Sequence, residues 1–207
     1  MPINARIKIC GLKSVEDVLK INDFNIDYVG FVFAESKRKV SKEKALEMKK
    51  ALKPTIKTVG VFADMSYDEI SEIADYVGLD VIQLHSDEDN GFCQKFQGKT
   101  IWKSISVNDT EPEIIAEKYK NIDGFLLDTY TKDLRGGSGK TFKWTLAKDF
   151  SKKYFTILAG GLNEENIIDA YNAVKPNVMD LSSSVETEGI KDYNKMKSLM
   201  RRIQKWV

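Results

Sequence analysis

The chain has 207 residues, 42% hydrophobic and 30% charged, and its 32 Lys and Arg against 31 Asp and Glu leave a formal net charge of +1. That is the balance of a globular protein whose core needs no disulfide or structural metal, and it lacks the broad positive field expected of a nucleic-acid binder. The two cysteines, Cys10 and Cys93, form no Cys-x-x-Cys pair, and with His85 as the single histidine neither a zinc site nor a disulfide framework is expected.

The chain opens on Met-Pro-Ile-Asn-Ala-Arg-Ile-Lys, without an apolar segment of the signal-peptide kind. No later stretch approaches the ~20 apolar residues of a membrane span, so a cytoplasmic location and no membrane partner are expected. Short runs rich in Val, Ile, Leu and Phe predict strands at 6–10, 28–33, 57–62, 81–84, 100–104, 124–128, 155–159 and 178–181. Between them, helical periodicity begins near Ser14, Ser41, Ser66, Asp87, Pro112, Lys143, Glu164 and Asp192. Ser14-Val15-Glu16-Asp17 and Ser66-Tyr67-Asp68-Glu69 are the clearest starts, a capping hydroxyl followed by acids in the first turn.

Eight strand–helix units of about 26 residues each sit at the compact end of the range for a (β/α)8 TIM barrel with eight parallel strands. An open doubly wound sheet is the alternative, but the Gly-x-Gly-x-x-Gly turn after the first strand is missing. No linker or low-complexity tract divides the sequence, so residues 1–207 are expected to form one catalytic domain.

In such a barrel the chemistry lies where strands end and the following loops begin. The seventh strand ends in Gly160-Gly161 and the eighth in Ser182-Ser183-Ser184. Glycines admit a ligand to the backbone and small hydroxyl residues before a helical turn present N–H donors, a combination suited to phosphate. Cys10 and Asp128 end the first and sixth strands, so the phosphate strands would lie between them around the ring. A thiolate can remove a proton from carbon and a carboxyl can donate one. The structural alternative is a small buried Cys10 and an Asp128 that caps a helix. His85 ends the fourth strand, where it is either a satisfied structural residue or a substrate contact. Arg38, in Lys37-Arg38-Lys39, offers a planar fork to a carboxylate or phosphate, or belongs to a solvated basic loop. Cys93 reads as a structural thiol on a helix. Gly136-Gly137-Ser138-Gly139-Lys140-Thr141 ends like a nucleotide-binding loop, but Leu134 stands where its first glycine belongs. It reads instead as a lid or a surface loop.

Taken in order, these stretches resemble the phosphoribosylanthranilate isomerase family over nearly the whole chain. The resemblance is carried by Lys8-Ile9-Cys10-Gly11-Leu12, Gly30-Phe31-Val32-Phe33 with Ser36-Lys37-Arg38, Val59-Gly60-Val61-Phe62, Gln83-Leu84-His85 and Leu126-Leu127-Asp128. Gly136-Gly137-Ser138-Gly139, Leu158-Ala159-Gly160-Gly161-Leu162 and Asp180-Leu181-Ser182-Ser183-Ser184-Val185-Glu186 complete it. It implies an Amadori rearrangement without metal or cofactor, acting on a phosphorylated small molecule in a monomer or homodimer. It also implies that Asp128 is the general acid and Cys10 the general base, and that Arg38 faces the anthranilate end. Lys8 and His85 would neighbour the reacting sugar and Asp180 would meet a ribose hydroxyl. Two positions depart from the family pattern, Ser86 and Ser184, both usually glycine; Ser184 touches the phosphate site, and a negative φ is expected there. A different barrel isomerase or lyase, or a phosphate-ligand sensor, are the competing readings.

Overall fold

The computed structural model describes residues 4–106, 111–128 and 140–204. Eight parallel strands close into a barrel in chain order: β1 (Arg6–Cys10), β2 (Tyr28–Val32), β3 (Lys57–Phe62), β4 (Val81–Leu84), β5 (Thr100–Ser106), β6 (Gly124–Asp128), β7 (Thr156–Ala159) and β8 (Val178–Leu181), with β8 returning to pair with β1. The intervening helices are α1 (Val15–Ile21), α2 (Lys42–Ala51), α3 (Tyr67–Val77), α4 (Asn90–Cys93), α5 (Pro112–Ala116), α6 (Lys140–Lys153), α7 (Ile167–Val174) and α8 (Tyr193–Gln204).

Ser14, Ser41 and Ser66 cap their helices as expected, each hydroxyl accepting from the third backbone N–H beyond it, and Ser66 with Glu69 forms a reciprocal capping box. Helix starts elsewhere shift. The α4 helix begins at Asn90, capped by Asp89, rather than near Asp87, and α6 begins at Lys140 rather than Lys143. The α7 start moves from Glu164 to Ile167 because Asn163 bonds the backbone of Glu165 and Asn166, holding that stretch as a loop. Gly136-Gly137-Ser138-Gly139 lies outside the described residues. After β8 the expected helical turn is a 3-10 turn at Ser183–Val185, and an unforeseen hairpin of β9 (Glu186–Thr187) and β10 (Ile190–Lys191) follows it.

Strand alternation sorts the side chains. Val59, Val81, Leu126, Ile157 and Val178 point into the barrel beside Tyr28 and Trp102 and form its buried plug. Their neighbours in the strands, such as Phe31, Phe62, Leu127, Leu158 and Met179, face the helices in a second, larger core. At the N-terminal end a clamp recurs on alternate strands. Ile7, Thr58, Ile101 and Thr156 each donate their N–H, at 2.8 Å, to the side chain of Asp27, Asp80, Asp123 and Asn177 respectively. Each of those residues returns its own N–H to the carbonyl of the same partner at 2.9–3.1 Å. These paired bonds fix the register of each odd strand against the start of the next even one, so the opposite ends of the strands are held for use.

Candidate active site

Two residues beyond the apolar plug, Gln83, Asp128 and Asp180 bring polar groups onto the same inward faces and, with apolar Val61 and Ala159, line a cavity of about 840 Å³ at the C-terminal ends of the strands. Cys10, Arg38, His85, Asp128 and Asp180 all border it, as do Gly160, Gly161, Ser182, Ser183 and Ser184. Lys8 alone among the expected site residues does not; it lies beneath, fully buried, its Nζ 2.6 Å from Asp180 Oδ2 and 3.1 Å from Gln83 Oε1. Cys10 on β1 and Asp128 on β6 flank β7 and β8, the order expected from the sequence.

The thiol fits because Gly30 stands opposite it in the β1–β2 register; a Cβ at Gly30 would lie 2.6 Å from Cys10 Sγ. Burial pushes the Cys10 thiol up, with Asp180 adding to the shift while the Lys8 and Lys191 ammoniums oppose it. Lys8 is itself buried, but Asp180 and Cys10 hold its ammonium form, raising its pKa. Since Lys8 can only donate, Gln83 Oε1 is the acceptor and the Gln83 amide nitrogen faces His85 Nδ1 at 3.3 Å. His85 is therefore the Nε2–H tautomer. Enclosure by the cavity walls keeps its imidazole below the usual range, Lys8 and Lys103 acting in the same sense against Asp128 and Asp180.

The strand ends expected to take phosphate are those of β7 and β8. Gly160 (φ 88) and Gly161 (φ 68) both take left-handed conformations that side chains disfavour, and the Asn163 and Asn166 amides hold the Gly161 carbonyl. Ser184 lies in the 3-10 turn and is not among the described left-handed non-glycine residues, Asp64, Asn121, Lys175 and Glu188, in agreement with the negative φ expected. Its buried Oγ has no hydrogen-bond partner within the described residues. Ser86, the other departure, bonds Asp64 through its hydroxyl and Glu88 Oε2 through its N–H at 3.0 Å, tying the loops after β3 and β4 together.

Arg38 has a partner that the sequence does not suggest. One edge of its guanidinium is held by Glu186, with Nε donating to Oε1 at 2.9 Å and Nη2 to Oε2 at 2.7 Å. Glu186 also accepts from Lys191 Nζ at 2.6 Å. Burial alone would raise the Glu186 carboxyl, but Arg38 and Lys191 bring it down to about 2. Glu186 belongs to the motif that ends the eighth strand, whereas nothing local in the sequence marks Lys191. The tie between them is the Glu188-Gly189 turn, both residues at positive φ, which places Lys191 opposite Glu186. Such a turn usually announces itself by Asn-Gly or Asp-Gly, and glutamate in the first position hid it.

A closed eightfold barrel whose C-terminal rim gathers a thiol, a carboxyl and the glycine and serine strand ends around one cavity has the architecture of a (β/α)8 enzyme. Residues 7–202 match the family model described as N-(5'phosphoribosyl)anthranilate (PRA) isomerase, and the chain belongs to that family. It is 44% identical over 199 residues to the N-(5'-phosphoribosyl)anthranilate isomerase of Thermoanaerobacter sp. strain X514, covering 96% of this chain and 98% of the relative. Against the enzyme of Clostridium acetobutylicum it is 40% identical over 205 residues, covering 97% and 98%. The crystal structure of phosphoribosyl anthranilate isomerase from Thermotoga maritima superposes with a TM-score of 0.87 at 36% identity, covering 97% of this chain and 99% of that one. A second solved isomerase, in complex with reduced 1-(o-carboxyphenylamino)-1-deoxyribulose 5-phosphate, gives 0.83 at 32% identity with the same coverage. A 3-hexulose-6-phosphate synthase, at 14% identity and a TM-score of 0.69, shares the fold alone.

Proposed function

We propose that this chain, as one catalytic barrel spanning residues 1–207, isomerises N-(5'-phosphoribosyl)anthranilate to 1-(2-carboxyphenylamino)-1-deoxyribulose 5-phosphate, with Asp128 as general acid and Cys10 as general base. The observation that carries the reading is the placement of a thiol and a carboxyl on either side of the β7 and β8 strand ends, within one cavity.

The phosphate rests on the backbone N–H groups around Gly160, Gly161, Ser183 and Ser184, with the hydroxyls of Ser182 and Ser184 nearby. Asp128 gives its proton to the furanose ring oxygen. The bond from that oxygen to C1 then breaks, and the anthranilate nitrogen lone pair forms a C1=N double bond. The Cys10 thiolate takes the C2 proton; the released pair forms C1=C2 and the C1=N electrons return to nitrogen, leaving an enolamine. Moving a proton from the C2 hydroxyl to C1 yields the ketone. Asp180, held by Lys8, orients a ribose hydroxyl, and neutral His85 borders the reacting carbons. With one edge of its guanidinium on Glu186, Arg38 meets the anthranilate carboxylate through the remaining edge.

Among the described residues no helix is long and apolar enough to cross a membrane. A cytoplasmic enzyme fits, as monomer or homodimer; the Thermotoga maritima isomerase is described as dimeric, with monomers generated from it. The test is turnover: purified protein added to freshly made phosphoribosylanthranilate should abolish the fluorescence of its anthranilate group. Cys10→Ala and Asp128→Asn should each lower kcat by about 10²–10⁴-fold with the fold retained, the range for losing one proton-transfer group. Binding without turnover by the parent protein would convict it as a sensor, and full activity in either variant would overturn the roles given to that pair.

A further inference from the structure

Lys191 is buried to 1% exposure at the edge of the site, yet it touches neither end of the cavity. Its ammonium spends all three donors inside the protein: on Glu186 Oε1 at 2.6 Å, on the Cys10 carbonyl at 2.6 Å and on the Ser182 carbonyl at 3.3 Å. Its backbone is fixed as well, the N–H donating to Asp17 Oδ1 at 3.1 Å and the carbonyl accepting from Lys20 Nζ at 3.1 Å. The β9–β10 hairpin sets it directly across from Glu186, the carboxylate that grips Arg38.

Charge counting gives this arrangement a purpose. Arg38 and Glu186 alone form a neutral pair, and a cation matched by its own carboxylate has little attraction left for a second one. With Lys191 the group of three carries one net positive charge. Lys191 and Glu186 are almost fully enclosed, whereas the Arg38 side chain is 32% exposed and borders the cavity. The surplus charge is therefore expressed through Arg38. The guanidinium is rigidly held by Glu186 and still acts as a cation, two properties that a simple pair would set against each other.

From this we infer that Lys191 is a positioning residue for substrate recognition, offsetting Glu186 so that Arg38 stays oriented and net positive toward the anthranilate carboxylate. The inference rests on the reading of Arg38 given above. A purely structural Lys191, stitching β1 to β8 where the barrel closes, would affect stability without distinguishing one ligand from another.

The experiment compares two inhibitors of the full-length enzyme: reduced 1-(2-carboxyphenylamino)-1-deoxyribulose 5-phosphate, and its phenylamino counterpart without the carboxylate. Lys191→Met removes charge and donors, and Lys191→Gln, which keeps a donor, serves if the first fails to fold. Either should weaken the carboxylate inhibitor by about tenfold, the scale of one charge acting across a partly exposed site, and the other inhibitor by less than about twofold. In an Arg38→Ala background the same change at Lys191 should add less than about twofold, because the effect passes through Arg38. Equal loss for both inhibitors, or an undiminished effect in the Arg38→Ala background, would overturn the inference while leaving the role of Arg38 intact. If Arg38→Ala itself weakens both inhibitors equally, it is the assignment of Arg38 to the carboxylate that fails, and the role of Lys191 falls with it.

Discussion

Gly30→Ala is the sharpest probe of the assigned base. A methyl at this position would lie 2.6 Å from Cys10 Sγ and 3.1 Å from Cys10 Cα. Non-bonded carbon atoms settle at about 3.5–4.0 Å and sulfur is no smaller, so the thiol must retreat by about 1 Å or swing to another rotamer. The backbone at Gly30 is not left-handed, so alanine brings no torsional strain and the whole effect is overpacking, about 1–3 kcal/mol. A reacting group displaced by about 1 Å typically loses about 10²-fold in rate. Steady-state kinetics on phosphoribosylanthranilate and urea unfolding measure the two effects separately. Gly124→Ala is the matched control: its Cβ would meet Phe155 Cδ1 at 2.9 Å and Ile157 Cδ1 at 3.0 Å, in the barrel plug away from the thiol. It should lose comparable stability and keep kcat. If Gly30→Ala retained kcat to within about threefold while showing the overpacking cost, Sγ placement would not control the reaction and the case for Cys10 as base would collapse.

Because burial raises the Cys10 thiol, the thiolate is the minor form at neutral pH, and the rate at which iodoacetamide alkylates Cys10 should climb with pH and level off only above the ordinary thiol value of about 8.5; a plateau reached below that value would contradict it. Asp80→Ala strips the buried Thr58 N–H and hydroxyl of their carboxylate partner, so it should cost about 1.5–3 kcal/mol and lower Tm by several degrees with kcat unchanged; a melting curve superposable on the parent's would remove the clamp from the account. Ser184→Gly should alter inhibition by inorganic phosphate by less than about tenfold, since the turn needs no left-handed residue, and a stability gain above about 1 kcal/mol would reveal strain at this serine after all.

The barrel was legible because apolar runs and polar breaks alternate eight times, and because strands buried on both faces read as continuous Val, Ile and Leu. Cys10, Asp128, Asp180 and the glycine–serine endings were legible for a related reason: in this architecture a polar residue directly after an apolar run has one place to go. What stayed hidden depends on partners far apart in sequence. Arg38 and Glu186 are separated by 148 positions and Lys191 and the Cys10 carbonyl by 181, and no local periodicity encodes either contact. Gly30 hid in another way. Inside a strand a glycine ordinarily weakens the structure, and only the β1–β2 register shows that its missing side chain is the space the thiol occupies.

Three ammonium groups are buried around the functional end of the barrel, each beside one carboxylate: Lys8 with Asp180, Lys103 with Glu88 and Lys191 with Glu186. Such pairs do little for stability, since the desolvation of both ions roughly cancels their attraction and apolar residues of similar volume would often do better. Stability is supplied instead by the apolar plug and by the clamps at the N-terminal end, where Asp27, Asp80, Asp123 and Asn177 accept from backbone and no lysine is buried among the described residues. The charges at the other end act on the site. Lys8 and Lys191 both bear on Cys10, Lys8 orients Asp180, and Lys103 holds the Ser86 and Ser104 carbonyls behind His85. A substrate with a phosphate at one end and a carboxylate at the other requires positive potential that needs no rearrangement when it arrives, and ammonium groups fixed by buried carboxylates provide it at a cost the opposite end of the same strands can bear.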